Sequence, residues 1–342
     1  MILSVELNFA TMLDDAALDE IAAQGITAIS APSDFVESLP KETLRRRAAA
    51  LSSRGIGVDT SHPRFGLYNS EYSMVNQYTA QRGLYLERLK DFFERMAILG
   101  AKTAPIHTGG SCLPMAPEWA LDLCADSVRA ILPAAAGAGI VLALENTFFT
   151  VPMQWNGGSG GHSEAGASGG GTGCAGASEA GGADAIVDAG GAPRPPCSDR
   201  LVYDDVGKLC ALIDAQSSPY VRGCYDVGHA HYLGDVAADH AAMGDRIVLY
   251  HIHDNSREYD MHLAPGYGTL DWELFGGLIH ANKAEYFAFI EARPWALGTN
   301  GHMIRETRAL LSGGRRGEHR RCLKCGRLIL HDEKGAFCSC KQ

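Results

Sequence analysis

The segment "RIVLYHIHD" (residues 246–254) decides the predicted fold. It begins as an apolar run rich in β-branched residues, which is typical of a strand. It ends with His251, His253 and Asp254, where the strand is expected to run out into a loop. The whole chain has only 13 histidines, so this crowding of imidazole and carboxylate groups suggests that the loop carries chemistry.

Seven further segments have the same apolar, strand-like character. They are "ILSVELN" (2–8), "GITAIS" (25–30), "GIGVDTS" (55–61), "AKTAPIH" (101–107), "GIVLALEN" (139–146), "VRGCYDV" (221–227) and "EYFAFIEA" (285–292). The stretches between the strands are helix-like, at about 15–24, 40–54, 72–99, 117–137, 204–216, 235–243, 271–282 and 299–311. Eight strand–helix units predict an α/β fold with a parallel sheet that closes into a (β/α)8 TIM barrel. A doubly wound open sheet is the alternative, but its usual glycine-rich phosphate-binding pattern does not follow the first strand.

Length and composition agree with an enzyme-sized globular chain. The 342 residues are 46% apolar, which is enough to bury a large core. The sequence shows no secretory signal pattern, and no apolar run reaches the roughly 18–20 residues that a bilayer demands. We therefore expect a cytoplasmic protein that does not enter a membrane.

Residues 157–200 interrupt the barrel pattern with a low-complexity segment of glycine, alanine and serine. Such a composition buries too little apolar surface to order itself, so a flexible, disordered insertion is expected. The insertion follows Glu145 and precedes the helix near 204–216, which places it at the catalytic face of the barrel. The sequence thus predicts one catalytic barrel domain over residues 1–311, with this insertion inside it.

Residues 312–342 form a separate segment, in which a basic linker precedes "CLKCGRLILHDEKGAFCSC" (322–340). A C-x2-C pair, a twelve-residue spacer and a C-x-C pair resemble a zinc ribbon. Four thiolates satisfy a closed tetrahedral Zn²⁺ site, and metal binding supplies folding free energy that so short a segment lacks. A structural zinc is therefore predicted on four cysteines: Cys322, Cys325, Cys338 and Cys340.

Charge is unevenly distributed between the two parts of the chain. The tail at residues 312–342 carries a formal charge of +5 and the remainder −15, which gives the total of −10. An acidic body repels phosphate backbones, which argues against a nucleic-acid partner. The basic tail leaves open a protein partner or a homo-oligomer.

Acidic residues and histidines occupy the predicted strand ends, where catalytic residues of such barrels lie. Six successive strands end in one of them: His62, His107, Glu145, Asp226, His251 and Glu291. His229 follows the sixth strand, and Asp260 and His262 lie in the loop after the seventh. One such residue would be an ordinary loop residue, but the whole set indicates a site. Carboxylates and imidazoles suit Mn²⁺, Mg²⁺, Co²⁺ or Zn²⁺, and carboxylates also serve as acid and base.

Five fragments of the chain resemble the xylose isomerase-like barrel superfamily. They are "LALENT" (142–147), "CYDVGHAH" (224–231), "HIHDN" (251–255), "DMHLAPGYGTLDW" (260–272) and "FIEARP" (289–294). That superfamily includes sugar phosphate isomerases and epimerases, ketose 3-epimerases, inosose dehydratases and endonuclease IV-type apurinic endonucleases. The resemblance covers about residues 1–311, apart from the insertion.

The resemblance implies roles for individual residues. The sugar epimerases of the superfamily imply one divalent metal with four ligands: Glu145, Asp226, His251 and Glu291. Two of these, Glu145 and Glu291, would also be the proton-transfer groups on opposite faces of the substrate. His229 and Arg257 fall where those enzymes contact substrate hydroxyls, and we expect three further histidines to contact substrate: His62, His107 and His253. Asp260 and His262 are candidates for an additional metal.

The predicted function is that of a metal-dependent isomerase or epimerase acting on a small-molecule carbohydrate: a sugar, a sugar phosphate or a cyclitol. The carboxylates would transfer protons through a metal-stabilised enediolate. One alternative is an endonuclease IV-type phosphodiesterase acting on abasic DNA, since the nine side chains that hold three zinc ions in that group all have candidates here. Further alternatives are a dehydratase or lyase on a keto-sugar or inosose, and a non-catalytic binding barrel. The acidic body disfavours DNA, and the complete ligand set disfavours a non-catalytic protein.

Overall fold

A computed structural model describes residues 1–64, 72–108, 117–147, 206–258, 260–292, 300–313, 330–332 and 335–337. Eight parallel strands within these residues close into a barrel in chain order, and the eighth strand pairs with the first. The strands are Leu3–Glu6 (β1), Ala28–Ser30 (β2), Gly57–Thr60 (β3), Thr103–Ile106 (β4), Val141–Glu145 (β5), Val221–Asp226 (β6), Ile247–Ile252 (β7) and Phe287–Ile290 (β8). The predicted TIM barrel is confirmed, and the open doubly wound sheet is excluded.

Helices follow the strands and form the outer layer. The larger ones are Asp15–Ala23 (α2), Lys41–Ser52 (α4), Thr79–Leu99 (α5), Pro117–Ala138 (α6), Val206–Ala215 (α7), Val236–Met243 (α9), Trp272–Ala281 (α10) and Asn300–Leu311 (α11). All agree with the predicted stretches except at the start of α5, which was expected near residue 72. There the side chain of Asn76 accepts a hydrogen bond from the backbone N–H of Tyr78 at 2.8 Å and forms a turn instead.

Three short helices were not predicted, and each follows directly on the carboxyl end of a strand. They are Phe9–Leu13 (α1) after β1, Ser33–Ser38 (α3) after β2 and Val227–Leu233 (α8) after β6. Each has at most two turns, which is too short for a helical period to show in the sequence. Local capping favours two of them: Asn8 accepts from Thr11 N, and Asp226 accepts from His229 N. These helices therefore begin at the end of the barrel where the predicted site residues lie.

The core has two layers because successive residues of a strand point to opposite sides of the sheet. The larger layer packs the strands against the helices, and Val5, Ile106 and Tyr250 belong to it. A smaller cluster fills the barrel interior: Ala143, Cys224, Leu249 and Phe289. Each of these four side chains lies two residues before a predicted metal ligand on the same strand. The inner apolar layer therefore lies directly beneath the predicted ligands.

The tail and the insertion remain predictions. Leu330–Asp332 (β9) and Gly335–Phe337 (β10) pair as an antiparallel hairpin within the tail. The four cysteines predicted to bind zinc and the whole of residues 157–200 lie outside the described residues. In the described ranges, the helices are too short or too polar for one of them to cross a bilayer.

The packing of α5 predicts unequal stability effects for two leucines on that helix. Leu89 is 1% exposed and Leu84 is 64% exposed. Leu89→Ala should lower the free energy of unfolding by about 2–5 kcal/mol, because it removes buried methyl groups and leaves a cavity. Leu84→Ala is the matched control and should change it by less than about 0.5 kcal/mol. Urea unfolding measures both, and equal effects would show that this face of α5 is not core.

Candidate active site

Four predicted ligands from four strands converge at the carboxyl end of the barrel. One ligand atom from each lies within 4.8 Å of those of the other three: Glu145, Asp226, His251 and Glu291. His251 Nδ1 lies 2.7 Å from Glu291 Oε2, 3.5 Å from Glu145 Oε1 and 3.8 Å from Asp226 Oδ2. We call these four residues the carboxylate-rich group. Three carboxylates around one imidazole suit a hard divalent cation.

A second group has the reverse composition, with three imidazoles and one carboxylate. Its members are His229, His253, Asp260 and His262, whose ligand atoms also lie within 4.8 Å of one another. His262 Nδ1 contacts the backbone oxygen of Glu291 at 2.9 Å, and its Nε2 lies 2.8 Å from Asp260 Oδ2. The first contact fixes the ring and leaves Nε2 facing the centre of this imidazole-rich group.

A third group links the carboxylate-rich group to strands β3 and β4. His62 Nε2 and His107 Nε2 lie 3.7 and 3.2 Å from Glu145 Oε2. Together the three side chains have metal-ligand spacing. Glu145 is therefore shared between this histidine pair and the carboxylate-rich group, and the nine predicted positions form one continuous polar cluster.

The carboxylate-rich group fits a bound cation, as its unsatisfied oxygens show. Both oxygens of Glu145, Oδ2 of Asp226 and Oε2 of Glu291 are buried without a well-aligned hydrogen bond in the described part of the chain. Burying carboxylates together without a cation or strong donors is costly. A divalent ion would satisfy these oxygens and neutralise their mutual repulsion.

The pKa values within the cluster show strong coupling between acids and imidazoles. Burial alone would raise the pKa of Glu145, but the nearby His251 and His107 hold it well below its usual value. Burial likewise opposes ionisation of Glu291, and His251 again lowers the pKa. Burial disfavours a charged His262, yet its hydrogen bond to Asp260 and the nearby Glu291 raise its pKa to about 9. Both glutamates are therefore ionised at neutral pH.

Asn146 joins strands β5 and β6 at the point where their ligands emerge. Its Oδ1 accepts a hydrogen bond from the N–H of Asp226 at 2.6 Å, and its Nδ2 donates to the Asp226 carbonyl at 3.0 Å. Two opposed hydrogen bonds from one amide fix the backbone of Asp226. The side chain of Asn146 thereby sets the position of Asp226 relative to Glu145.

Asp254 organises the loop that carries Asp260 and His262. Its buried carboxylate accepts from four donors: the N–H groups of Asn255, Gly266 and Leu270, and Trp272 Nε1. Donors from both ends of the loop meet on this one side chain, which closes the loop over the mouth. Burial is acceptable for a carboxylate that accepts four hydrogen bonds.

Arg257 and the tail cysteines are the predicted site residues that do not join the cluster. The side chain of Arg257 is exposed, and its backbone N–H donates to Asn255 Oδ1 at 3.0 Å with φ at 66°. The cysteines lie outside the described residues. Four histidines predicted to contact substrate lie among possible metal ligands: His62, His107, His229 and His253. Their roles stay predictions.

Three residues of the site escaped the sequence analysis. Cys224 lies within ligand distance of Glu145 and His251. Its position two residues before Asp226 on one strand was the signal that it faces inward. Asn146 and Asp254 stand inside the quoted fragments, but nothing in the sequence shows which backbone groups they hold.

Comparisons with known proteins agree with this architecture. The family model described as xylose isomerase-like TIM barrel matches residues 18–159 and 195–311. An uncharacterised protein of Sinorhizobium fredii, y4fM, is 41% identical over 76 residues, which are 21% of this chain and only 24% of that relative.

Solved structures share the fold over nearly the whole chain. The 3-keto-D-glucoside 4-epimerase YcjR of E. coli has a TM-score of 0.62 at 14% identity, covering 92% of this chain and 99% of that one. D-psicose 3-epimerase of Clostridium cellulolyticum H10 has 0.61 at 11%, covering 92% and 98%. The IolI protein with a bound zinc atom has 0.60 at 14%, covering 92% and 100%. At these identities, the similarity establishes a common fold.

Removal of metal should destabilise the protein more at pH 9 than at pH 7. Burial opposes the charging of His229 and His262, but nearby carboxylates raise their pKa values to about 10 and about 9. A metal must displace these protons, so its affinity rises with pH, by up to about 1.4 kcal/mol per pH unit and proton. Without metal, the stability that these protonated imidazoles provide is complete below about pH 6.5 and is lost as pH rises through 9–10.

Urea unfolding with and without a chelator, at both pH values, measures this difference. A chelator effect that shrinks at high pH, or no effect at either pH, would contradict the assignment of imidazoles as metal ligands.

Gly228 should be required for the position of His253. A Cβ atom at residue 228 would lie 2.0 Å from His253 Cε1, so Gly228→Ala must displace the imidazole or the helix. We expect a loss of about 1–3 kcal/mol in the free energy of unfolding and weaker metal binding. Gly277→Ala on α10 is the control, because a Cβ there meets no atom within 4 Å. Chemical unfolding and metal titration of both variants test this, and an unperturbed Gly228→Ala protein would refute it.

Proposed function

The chain belongs to the xylose isomerase-like TIM barrel family, and on that basis we propose that it is a divalent-metal-dependent isomerase or epimerase acting on a sugar or a related polyol. Solved structures with this fold include epimerases that act on 3-keto-D-glucoside and D-psicose, which supports the carbohydrate class. The ion held by the carboxylate-rich group would be the cofactor, and the family resemblance and unsatisfied oxygens both support it.

One observation carries the proposal: two ionised glutamates flank the same imidazole and differ in exposure. The side chain of Glu145 is 1% exposed, whereas that of Glu291 is 26% exposed. Glu291 is therefore the carboxylate that substrate reaches from the mouth of the barrel. Two carboxylates with separate access to one substrate carbon are what a reaction that removes and returns a proton requires.

The chain's own residues account for the proton path. When bound, the cation would polarise a substrate carbonyl and make the adjacent carbon acidic enough to lose a proton to a carboxylate. Glu291 accepts the proton from the side of the site that faces the mouth of the barrel, since its side chain is the more exposed of the two. To deliver a proton from the buried side, the ionised Glu145 must first take one up, and the charged His229, whose Nδ1 lies 3.3 Å from Glu145 Oε1, is placed to give it. Delivery to the same carbon from the other side gives epimerisation, and delivery to the neighbouring carbon gives isomerisation.

A second candidate function is metal-dependent phosphodiester hydrolysis, and one observation favours it. The carboxylate-rich group, the imidazole-rich group and the His62–His107 pair are contiguous, as a site with more than one metal requires. The charges favour the isomerase. Arg64 lies at the mouth of the barrel, but its Nε is paired with Glu37 Oε2 at 3.1 Å. Residues 1–311 carry a formal charge of −15, which repels a phosphate backbone.

Glu291→Gln should abolish proton exchange at the substrate carbon, because the amide cannot accept a proton. We expect a loss of at least about 10²–10⁴-fold in the rate of deuterium incorporation from D₂O, followed by NMR over a panel of ketoses, sugar phosphates and inososes. Glu273→Gln, which alters a carboxylate on the exposed face of α10, is the matched control and should exchange at the wild-type rate.

The same panel includes an oligonucleotide with an abasic site. Exchange into a carbohydrate without cleavage of the oligonucleotide supports the isomerase proposal. Cleavage without exchange supports the second candidate, and normal exchange by Glu291→Gln would remove Glu291 from the mechanism.

A further inference from the structure

A cavity of about 430 Å³ adjoins the candidate active site and is not explained by metal binding. It is lined by residues that follow strands β8, β1, β2 and β3, which are neighbours in the barrel. Two of its lining residues, Glu291 and His62, belong to the polar cluster already described. Its volume falls within the range of roughly 300–1,000 Å³ of small-molecule sites. A substrate whose reacting carbon lies at Glu291 therefore extends into this cavity.

The cavity wall away from the metal ligands is acidic. Glu6 ends β1 and Asp34 lies in the first turn of α3, and both carboxylates line the cavity. No hydrogen bond to the Glu6 side chain is found among the described residues. Partial desolvation raises the pKa of Glu6, the nearby Glu291 raises it further, His62 lowers it, and Asp34 raises it more weakly. The three carboxylates line one cavity.

The positive charge of Arg64, which also lines the cavity, does not neutralise these carboxylates. Arg64 Nε forms an ion pair with Glu37 Oε2 at 3.1 Å. The guanidinium charge is thus already matched by a carboxylate. Tyr72 adds an aromatic surface without charge.

An acidic lining favours binding of hydroxyl groups and disfavours binding of phosphate. A sugar hydroxyl donates a hydrogen bond that a carboxylate accepts. A phosphate dianion has acceptor oxygens and a like charge, and it would lie beside two or three carboxylates that repel it. We propose that Glu6 and Asp34 determine specificity, so that the distal end of the substrate is an unphosphorylated polyol whose hydroxyls they bind. This inference rests on the proposed carbohydrate function and narrows it to uncharged sugars.

The test compares binding of a free sugar and its phosphate to the full-length, metal-loaded protein. D-fructose and D-fructose 6-phosphate are titrated by calorimetry, and the ratio of their dissociation constants is the readout. In the wild type, the phosphate should bind at least about tenfold more weakly than the free sugar. Glu6→Gln and Asp34→Asn should each reduce that ratio several-fold. Glu42→Gln removes the same charge from the surface of α4 and should leave the ratio unchanged.

Three results would overturn the inference. The first is a phosphate affinity equal to or higher than that of the free sugar. The second is an unchanged ratio in both Glu6→Gln and Asp34→Asn. The third is a wild-type preference for D-glucosamine over D-glucose, which would indicate a cationic ligand. Failure of the isomerase proposal gives a different result: deuterium exchange is absent, whereas the ratio of the two dissociation constants is as predicted. Urea unfolding of the two variants confirms that a changed ratio comes from a folded protein.

Discussion

Repulsion among three buried carboxylates is the constraint on which the rest of the structure depends. Glu145, Asp226 and Glu291 hold oxygens within 4.8 Å of one another. In a poorly solvated interior this arrangement is expensive unless the scaffold is stiff and a cation is bound. The barrel provides the stiffness, because each ligand lies at the end of a strand, or directly after it, and that strand is hydrogen-bonded on both sides. The apolar residues two positions before the ligands fill the barrel interior beneath them. This packing prevents the ligand side chains from moving into the interior.

The loops are held by single polar side chains that satisfy several backbone groups at once. Asn146 fixes the backbone of Asp226, and Asp254 gathers four donors from the loop that bears Asp260 and His262. Asp254 accepts as many hydrogen bonds as a carboxylate has acceptor sites, and Asn146 uses both its oxygen and its nitrogen on the scaffold. The carboxylate-rich group is thereby fixed by strands, whereas half of the imidazole-rich group depends on one loop. Loop-borne ligands are the easier ones to change without disturbing the barrel.

The barrel and a set of polar strand-end residues could be predicted from the sequence, because both follow from local pattern, whereas the family resemblance implied which four of those residues form the carboxylate-rich group. Apolar runs repeat with helical stretches between them, and a polar residue ends each run where the fold places its active site. The grouping of His229 and His253 with Asp260 and His262 could not be predicted, because it depends on how a loop folds back over the mouth. The short helix Ser33–Ser38 has too few residues to show a period, yet it brings Asp34 to the cavity. Arg257 has a left-handed backbone conformation with φ at 66° and an exposed side chain. Nothing in the local sequence predicts this conformation.

The two ligand groups differ enough in composition to favour different ions. Three carboxylates and one imidazole present hard oxygen donors with a large negative charge, which favours Mg²⁺ or Mn²⁺. Three imidazoles and one carboxylate are softer and nearly neutral, which favours Zn²⁺ or Co²⁺. The edges of the two groups meet, since His253 Nε2 lies 3.1 Å from Asp226 Oδ1 and His229 Nδ1 lies 3.3 Å from Glu145 Oε1. Protonated imidazoles of the second group can therefore compensate the carboxylates of the first. For this reason we expect the charge state of the imidazole-rich group to affect how tightly the carboxylate-rich group would hold a cation.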